Sequence, residues 1–344
     1  TDSRNQILKL ATTAASGYTS QVRNAGHIRN RGYEIQLGAV PIQTSKGFRW
    51  NLDLNYGANS SKVVKLDDEG LITSYQLYSG IQILASVGEA YGTLFGTSYV
   101  RDANGNVVVD ANGLPKISTT NKTLGKFTPD WTGGISNTFS YRSLSLSFLI
   151  DASVGGSIFS NTNKTGKYTG VLANTLSGRD AEHGGLWYYT DAMGNNVRLS
   201  ESPSYSVSSD GLYYAQVNGQ STRVYQDGIM VEGVTESGSK NEEVVSAEKY
   251  YHRIYSIAEA NVYDASYVKL REVALSYRLP RLWTQKLHLQ EASVTLTGRN
   301  LWTIYKSVPN IDPESALTTG NAQGVEAYSL PTTRSFGVNL SVKF

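Results

Sequence analysis

Residues 336–344 read Phe-Gly-Val-Asn-Leu-Ser-Val-Lys-Phe. Phe336, Val338, Leu340, Val342 and Phe344 fall on one face of an extended chain, and Gly337, Asn339, Ser341 and Lys343 on the other. That is the period-2 alternation of a strand with one apolar face, carried to an aromatic final residue. Such a strand resembles the C-terminal, assembly-directing strand of bacterial outer-membrane barrels.

The same alternation recurs upstream. Phe48, Trp50, Leu52, Leu54, Tyr56 and Ala58 alternate with Arg49, Asn51, Asp53, Asn55 and Gly57. Leu144, Leu146, Phe148 and Ile150 alternate mainly with serines; Trp131, Ile135, Phe139 and Tyr141 with Ser and Thr. Segments 33–39 and 292–299 behave likewise. In 265–279 the parity slips: Val268 and Leu270 are even, Val273, Leu275, Tyr277 and Leu279 odd. A β-bulge near Arg271-Glu272 restores one face.

Connections alternate between short turns (43–47, 141–143, 280–288) and long polar stretches (61–130, 156–262). In an up-and-down arrangement all short turns fall at one end. Trp131 and Tyr141 are ten positions apart, roughly 33 Å along a strand at ~3.3 Å per residue. Tilted by about 40°, this projects to roughly 25 Å, the height of the apolar band in membrane barrels. The expected fold is therefore all-β: an antiparallel up-and-down transmembrane β-barrel portion with long extracellular loops. About eight strands are expected, near 1–10, 30–42, 47–60, 129–141, 143–157, 263–279, 289–303 and 331–344. A further hairpin is expected over 88–110, and open edges at the N-terminal side. Leu52, Leu54, Leu144, Leu146, Phe148, Val338 and Leu340 are expected to face lipid.

Composition narrows the function. Lys+Arg is 31 against Asp+Glu 29, which gives no reason to expect nucleic acid. There are no cysteines, so disulfide frameworks, thiolate metal sites and Cys nucleophiles are absent. Tyr (23) outnumbers Phe (8) almost threefold, which suits rings at a wet boundary. His27, His183, His252 and His288 are far apart, and no zinc, phosphate-loop or nucleophile-elbow motif occurs. No enzyme chemistry and no cofactor are expected. Asp102-Ala-Asn-Gly-Asn106 and Asp110-Ala-Asn-Gly113 have the glycine too early for a Ca²⁺ loop and read as turns. Asp67-Asp68-Glu69 reads as a solvated loop with an outer cation site as the alternative. Asp312-Pro313-Glu314 reads as a loop-shaping element. Glu34, Arg49, Asp53, Arg299 and Lys343 are expected to face the lumen and pair with one another or water.

An ordered set of motifs adds a resemblance. Asn24-Ala-Gly-His-Ile-Arg-Asn-Arg-Gly-Tyr-Glu34, Gly125-Lys-Phe-Thr-Pro-Asp-Trp131, Ser266-Tyr-Val-Lys-Leu-Arg271, Arg299-Asn-Leu-Trp-Thr303 and Asp312-Pro-Glu314 occur in that order. Together they resemble the SusC/RagA family of TonB-dependent outer-membrane transporters of Bacteroidetes. The resemblance implies that residues 1–344 are the C-terminal segment of a receptor barrel, its plug and N-terminal domains lying outside this chain. Thr1-Asp2-Ser3-Arg4 carries neither the basic nor the apolar region of a signal peptide, so the chain is expected to start inside a longer protein. The resemblance further implies nutrient import, a SusD-like surface lipoprotein as partner, and coupling to a TonB complex through the missing region. An oligosaccharide or a peptide is the implied ligand. A small porin or adhesin barrel and a soluble all-β carbohydrate-binding module or hydrolase remain as alternatives. Tyr188, Tyr189, Tyr205, Tyr213, Tyr214, Tyr250 and Tyr251 are candidate ligand or partner contacts in any of these readings.

Overall fold

The computed structural model describes residues 1–11, 17, 20–66, 71–78, 80–286, 288–317 and 323–344. Its frame is one antiparallel sheet of eight strands: β1 (Asp2–Ala11), β2 (Ser20–Gln43), β3 (Phe48–Leu66), β4 (Trp131–Tyr141), β5 (Leu144–Val154), β6 (Tyr267–Arg278), β7 (Glu291–Lys306) and β8 (Ser335–Lys343). Each strand pairs with its sequence neighbours in the sheet, and β1 and β8 are its two edges. The all-β, antiparallel class is as the alternation implies; among the described residues the two edge strands do not pair with each other. No described helix is long and apolar enough to cross a membrane.

Register converts the alternation of single strands into rows. Leu54 pairs with Ile135, Ile135 with Ile150, Ile150 with Leu270 and Leu270 with Trp302. Two rows nearer the turns run Trp50, Phe139, Leu146, Leu275, Leu296 and Val338. The row at the turns holds Phe48, Tyr141, Leu144, Tyr277, Val294 and Leu340. The opposite face carries Arg49, Ser140, Ser145, Ser276, Thr295 and Asn339 in the same order. One face of the sheet is thus apolar across six strands. Phe336 is 80% exposed, Val338 72% and Phe344 84%, and Ile135, Leu146, Leu275 and Leu296 are exposed too, so the described residues leave this face largely uncovered.

Aromatic rings gather at both margins of the apolar face. At the turn end are Phe48, Tyr141 and Tyr277. At the loop end Tyr33 stacks on Tyr56 (6.0 Å) and Tyr56 on Trp131 (5.5 Å). One polar side chain interrupts the face. Asn137 is buried, its Oδ1 accepting from the Trp50 indole at 3.0 Å. Trp50→Phe leaves that oxygen without its donor and is expected to cost about 1–3 kcal/mol in denaturant unfolding from lipid vesicles. The double change Trp50→Phe, Asn137→Leu, which removes donor and acceptor together, is expected to cost far less.

The expected bulge is present: against β5 the pairing of β6 jumps from Leu270 to Glu272 and leaves Arg271 as the extra residue, while against β7 the same step spans Asn300 and Leu301, so the extra residue there lies on β7. Consequently Lys269, Arg271 and Glu272 all serve the polar face. β2 and β3 run well beyond the expected 30–42 and 47–60, because polar residues continue the ladder past the apolar band. Residues 88–110 add no strand to the main sheet. Ile81–Ser86 and Thr93–Gly96 belong to a separate four-stranded sheet with Leu71–Tyr78 and Lys122–Lys126.

The long polar stretches are folded, with short strands and helices of their own. Residues 186–246 build a second sheet in which Trp187, Ala215 and Val224 form a small core. Ile81, Ile83, Leu94, Phe159, Ala258 and Val325 form another, joining segments far apart in sequence. Sharp turns between short strands share one device: Asp102, Asp110 and Asp191 each accept backbone N–H groups two and four residues on. The carboxylate of Asp102 is thereby engaged in turn chemistry, as the sequence reading had it. Asp67-Asp68-Glu69 lies outside the described residues.

Candidate functional site: the loop layer and its attachment to the sheet

Two short helices organise the loop layer. α1 (Asn161–Thr169) starts where the Ser160 hydroxyl accepts from Asn163 N at 3.0 Å and ends at Gly170, whose φ of 70° suits glycine. Fully buried Glu326 accepts from Ser160 Oγ (2.8 Å) and Thr162 Oγ1 (2.6 Å), tying the helix start to the chain ahead of β8. α2 (Ala247–Tyr255) is capped by Ser246 and packs on α1 through a Tyr168–His252 stack with centroids 4.1 Å apart.

Between the helices and the Gly228–Glu232 backbone lies a cleft of about 670 Å³. Tyr99, Lys167, Tyr250 and Tyr251 line it with Ile229, Met230 and Ile254. Lys167 is buried; its Nζ donates to Ala260 O (2.7 Å) and Asn261 Oδ1 (3.2 Å) and lies over the Tyr263 ring. Burial brings its pKa down to about 8, so the ammonium is still mostly charged at neutral pH. The cleft is of mixed character, with Lys167, Asn174, Ser177 and Glu232 beside the apolar and aromatic side chains.

The seven tyrosines singled out from sequence separate into distinct settings, Tyr205 lying against the Trp187 ring at 5.1 Å. Tyr188 is 4% exposed, stacked on Tyr225 at 5.0 Å, with its hydroxyl donating to Asp227 Oδ1. Its ring is fully engaged, which corrects its reading as a ligand platform. Tyr189 and Tyr213 pack against the Trp187 core. Tyr214 is half-buried on the strand Tyr213–Val217. Only Tyr250 and Tyr251 come together at the cleft. The Tyr251 hydroxyl donates to Asn174 O and Ser177 O, both at 3.1 Å, holding segment 173–183 against α2. Tyr251→Phe removes both bonds and is expected to cost about 1 kcal/mol. The loss should be read as faster proteolysis within 171–185, with the main sheet unaffected. Phe336, Val338, Leu340 and Val342 stand on edge strand β8, with Phe344 just past its end, away from the cleft.

A second feature was not visible from either of its motifs alone. Lys269, from the first turn-out of β6 into the loop layer, donates to Asp312 Oδ1 and Glu314 Oε2, both at 2.6 Å. Arg271, the bulge residue, donates to Asp151 Oδ1 at 2.8 Å and to Glu314. Asp312 also accepts from the Thr332 hydroxyl and from Glu314 N. The Lys269 and Asp312 side chains are 4% and 7% exposed. Burial alone raises the Asp312 pKa, but the hydrogen bonds from Lys269 and Thr332 outweigh it and hold the carboxyl at about 2. Asp312-Pro313-Glu314 therefore fastens residues 307–317 and, through Thr332, the chain ahead of β8 to the sheet wall. Of the other expected lumen charges, Arg299 pairs with Glu272 at 2.8 Å, and Arg49 bonds Asn51. Among the described residues, no group of three His, Asp or Glu is placed to hold a metal.

Comparison with known proteins fits this layout. No family model matches the chain. It is 26% identical over 96% of its length to TonB-dependent receptor P3 of Formosa agariphila, and 25% identical over 98% to TonB-dependent receptor P26 of the same organism. The chain spans about a third of these curated relatives, 30% and 31% of their lengths. Among solved structures, the RagAB peptide importer in its closed-closed state matches 100% of this chain and 32% of the matched chain. The TM-score there is 0.60 at 18% sequence identity. The open-open state of the same importer gives a TM-score of 0.57. The resemblance to SusC/RagA-type TonB-dependent receptors read from the motifs is borne out over nearly the whole chain.

Proposed function

We propose that residues 1–344 form the C-terminal part of the barrel of an outer-membrane TonB-dependent importer, with plug and N-terminal domains elsewhere in the full protein. The apolar face of the sheet meets lipid and its polar face lines the lumen. The observation that carries this reading is the apolar face, with rows running across five or six strands and only Asn137 as a polar interruption, bounded by aromatic rings at both ends. A soluble module exposing so large a contiguous apolar face would aggregate. The similarity to receptors about three times longer favours an importer fragment over a complete small porin or adhesin.

In this reading the loop layer lies outside the cell and meets both a SusD-like surface lipoprotein and the nutrient, an oligosaccharide or a peptide. The Tyr250–Tyr251 cleft is the ligand-facing element this chain contributes, and Tyr189, Tyr213 and Tyr214 belong to the partner-facing sheet. Energy comes from a TonB complex acting through the absent N-terminal region. The chain itself carries no catalytic role.

The test removes 186–246 from the full-length protein, bridging Gly185 to Ala247, and assays lipoprotein co-purification and nutrient uptake. Loss of both by tenfold or more, with the barrel still folded, is expected. Unchanged co-purification and uptake would move the functional weight out of this sheet and into the N-terminal two thirds of the protein.

A further inference from the structure

The turn end of the sheet is charged very differently from the chain as a whole. Overall, 31 basic residues face 29 acidic ones. The short turns and the strand residues that border them carry Lys46, Arg142, Arg278, Arg281, Lys286 and Lys343, against the single acid Glu291. Glu291 is taken by Arg278 at 2.9 Å. Among the described residues, no carboxylate lies within ion-pair reach of Lys46, Arg142, Arg281 or Lys286, and all four are exposed.

These cations form one rim. Arg142 N donates to Gly47 O, Arg278 N to Ser143 O at 2.8 Å, and Gln290 N to Lys343 O at 2.8 Å, so successive turns are stitched side by side. Arg142 occupies a backbone φ of 55°, a region that glycine takes more readily. Its guanidinium lies 5.3 Å from the centre of the Tyr141 ring. An arginine is thus held where glycine would be the relaxed choice for the turn. Between β6 and β7 the helix α3 (Arg281–Lys286) turns Leu282 and Trp283 outward, 74% and 58% exposed, flanked by its two cations. The rim is continuous with the apolar face through Tyr141, Tyr277 and Leu340.

We infer that this rim is a phospholipid-headgroup site: Lys46, Arg142, Arg281 and Lys286 hold lipid phosphates while Trp283 and Leu282 sit among the glycerol and upper acyl groups. The inference rests on the membrane reading above. Unpaired cations beside outward aromatics at the margin of an apolar face are the chemistry of an interfacial anchor, and anionic headgroups strengthen it. The occupant is an anionic phospholipid of the leaflet at the turn end.

The full-length protein, folded into mixed phosphatidylcholine and phosphatidylglycerol vesicles, is probed with spin-labelled lipid of each kind. Motionally restricted lipid measures contact with the barrel. Phosphatidylglycerol is expected to be preferred by about fivefold at low salt, and the preference to vanish in 1 M salt. The variant Lys46→Gln, Arg142→Gln, Arg281→Gln, Lys286→Gln should restrict as much lipid in total with little preference. The control Lys62→Gln, Lys65→Gln, Lys122→Gln, Lys240→Gln, changed at the loop end, should keep it. If the fourfold rim variant fails to fold, Lys46→Gln and Arg281→Gln singly should each lower the preference. Restricted lipid with no preference in the unaltered protein, or a preference untouched by the rim changes, overturns this inference and leaves the barrel reading standing. No restricted lipid of either kind overturns both. Loss of a co-purifying protein from the rim variant, with lipid preference unchanged, would assign the rim to a protein partner instead.

Discussion

Ile135→Arg is expected to cost about 2–4 kcal/mol of folding free energy in lipid vesicles, and Ser136→Arg, the next residue along the strand, far less. Ile135 lies four positions from Trp131 and six from Tyr141. At ~3.3 Å per residue and about 40° of tilt, it sits roughly 10 Å below one aromatic margin and 15 Å above the other. That is close to the middle of the apolar band, where a guanidinium finds neither water nor a counter-charge. Ile135 is flanked by Leu54 and Ile150 in its row. Ser136 faces the other way, paired with Asp53 and beside the row that holds Glu272, so an arginine there meets carboxylates and water. Equal costs for the two changes would mean the faces are misassigned.

Lys269→Met should be the most damaging single change in the loop attachment, costing about 3–5 kcal/mol locally. It leaves the buried Asp312 carboxylate without its cation. Glu314 keeps Arg271, so the loss falls on Asp312. The double change Lys269→Met, Asp312→Leu removes both charges and is expected to recover most of the stability. Hydrogen exchange across 307–317 and 323–334 reads the effect: fast exchange in the single variant, slow in the double. Equal exchange in both would deny the pair a role. The pH response follows from the lowered Asp312 pKa. A depressed carboxylate pKa contributes stability that is present above the unfolded value near 4 and is lost as pH falls toward 2. The attachment should therefore be constant from neutral pH down to about 4 and loosen below it.

Strands and faces were legible in the sequence because a lipid-facing and a water-facing side demand opposite chemistry at alternate positions. Even the bulge at Arg271 showed itself as a slip in parity. Depth was less legible. Leu146 was placed among the lipid-facing residues without a height; register puts it one row from the Tyr141–Leu144 margin, so Leu146→Arg should cost less than Ile135→Arg. The loop layer could not be read, because its strands are two to ten residues long and their pairings join distant segments. Tyr188 looked like its neighbours in a Tyr-rich stretch, and only the pairing of Leu186–Thr190 with Gln220–Ile229 turns it inward. The Lys269–Asp312 pair spans 43 positions. Each half stood out as a motif, yet nothing in a single sequence connects them.

The central claim is that one face of this sheet meets lipid and the other water. It is tested most directly by placing a nitroxide at each position from 144 to 154 in turn, in the full-length protein folded in bilayers. Collision rates with oxygen, which concentrates in lipid, and with a water-soluble nickel chelate are then compared. The account predicts strict alternation: oxygen favoured at Leu144, Leu146, Phe148 and Ile150, and nickel at Ser145, Ser147, Leu149 and Asp151. Oxygen accessibility should peak near Phe148 and Ile150. A profile without a two-residue period, or one with the two sets exchanged, would contradict it.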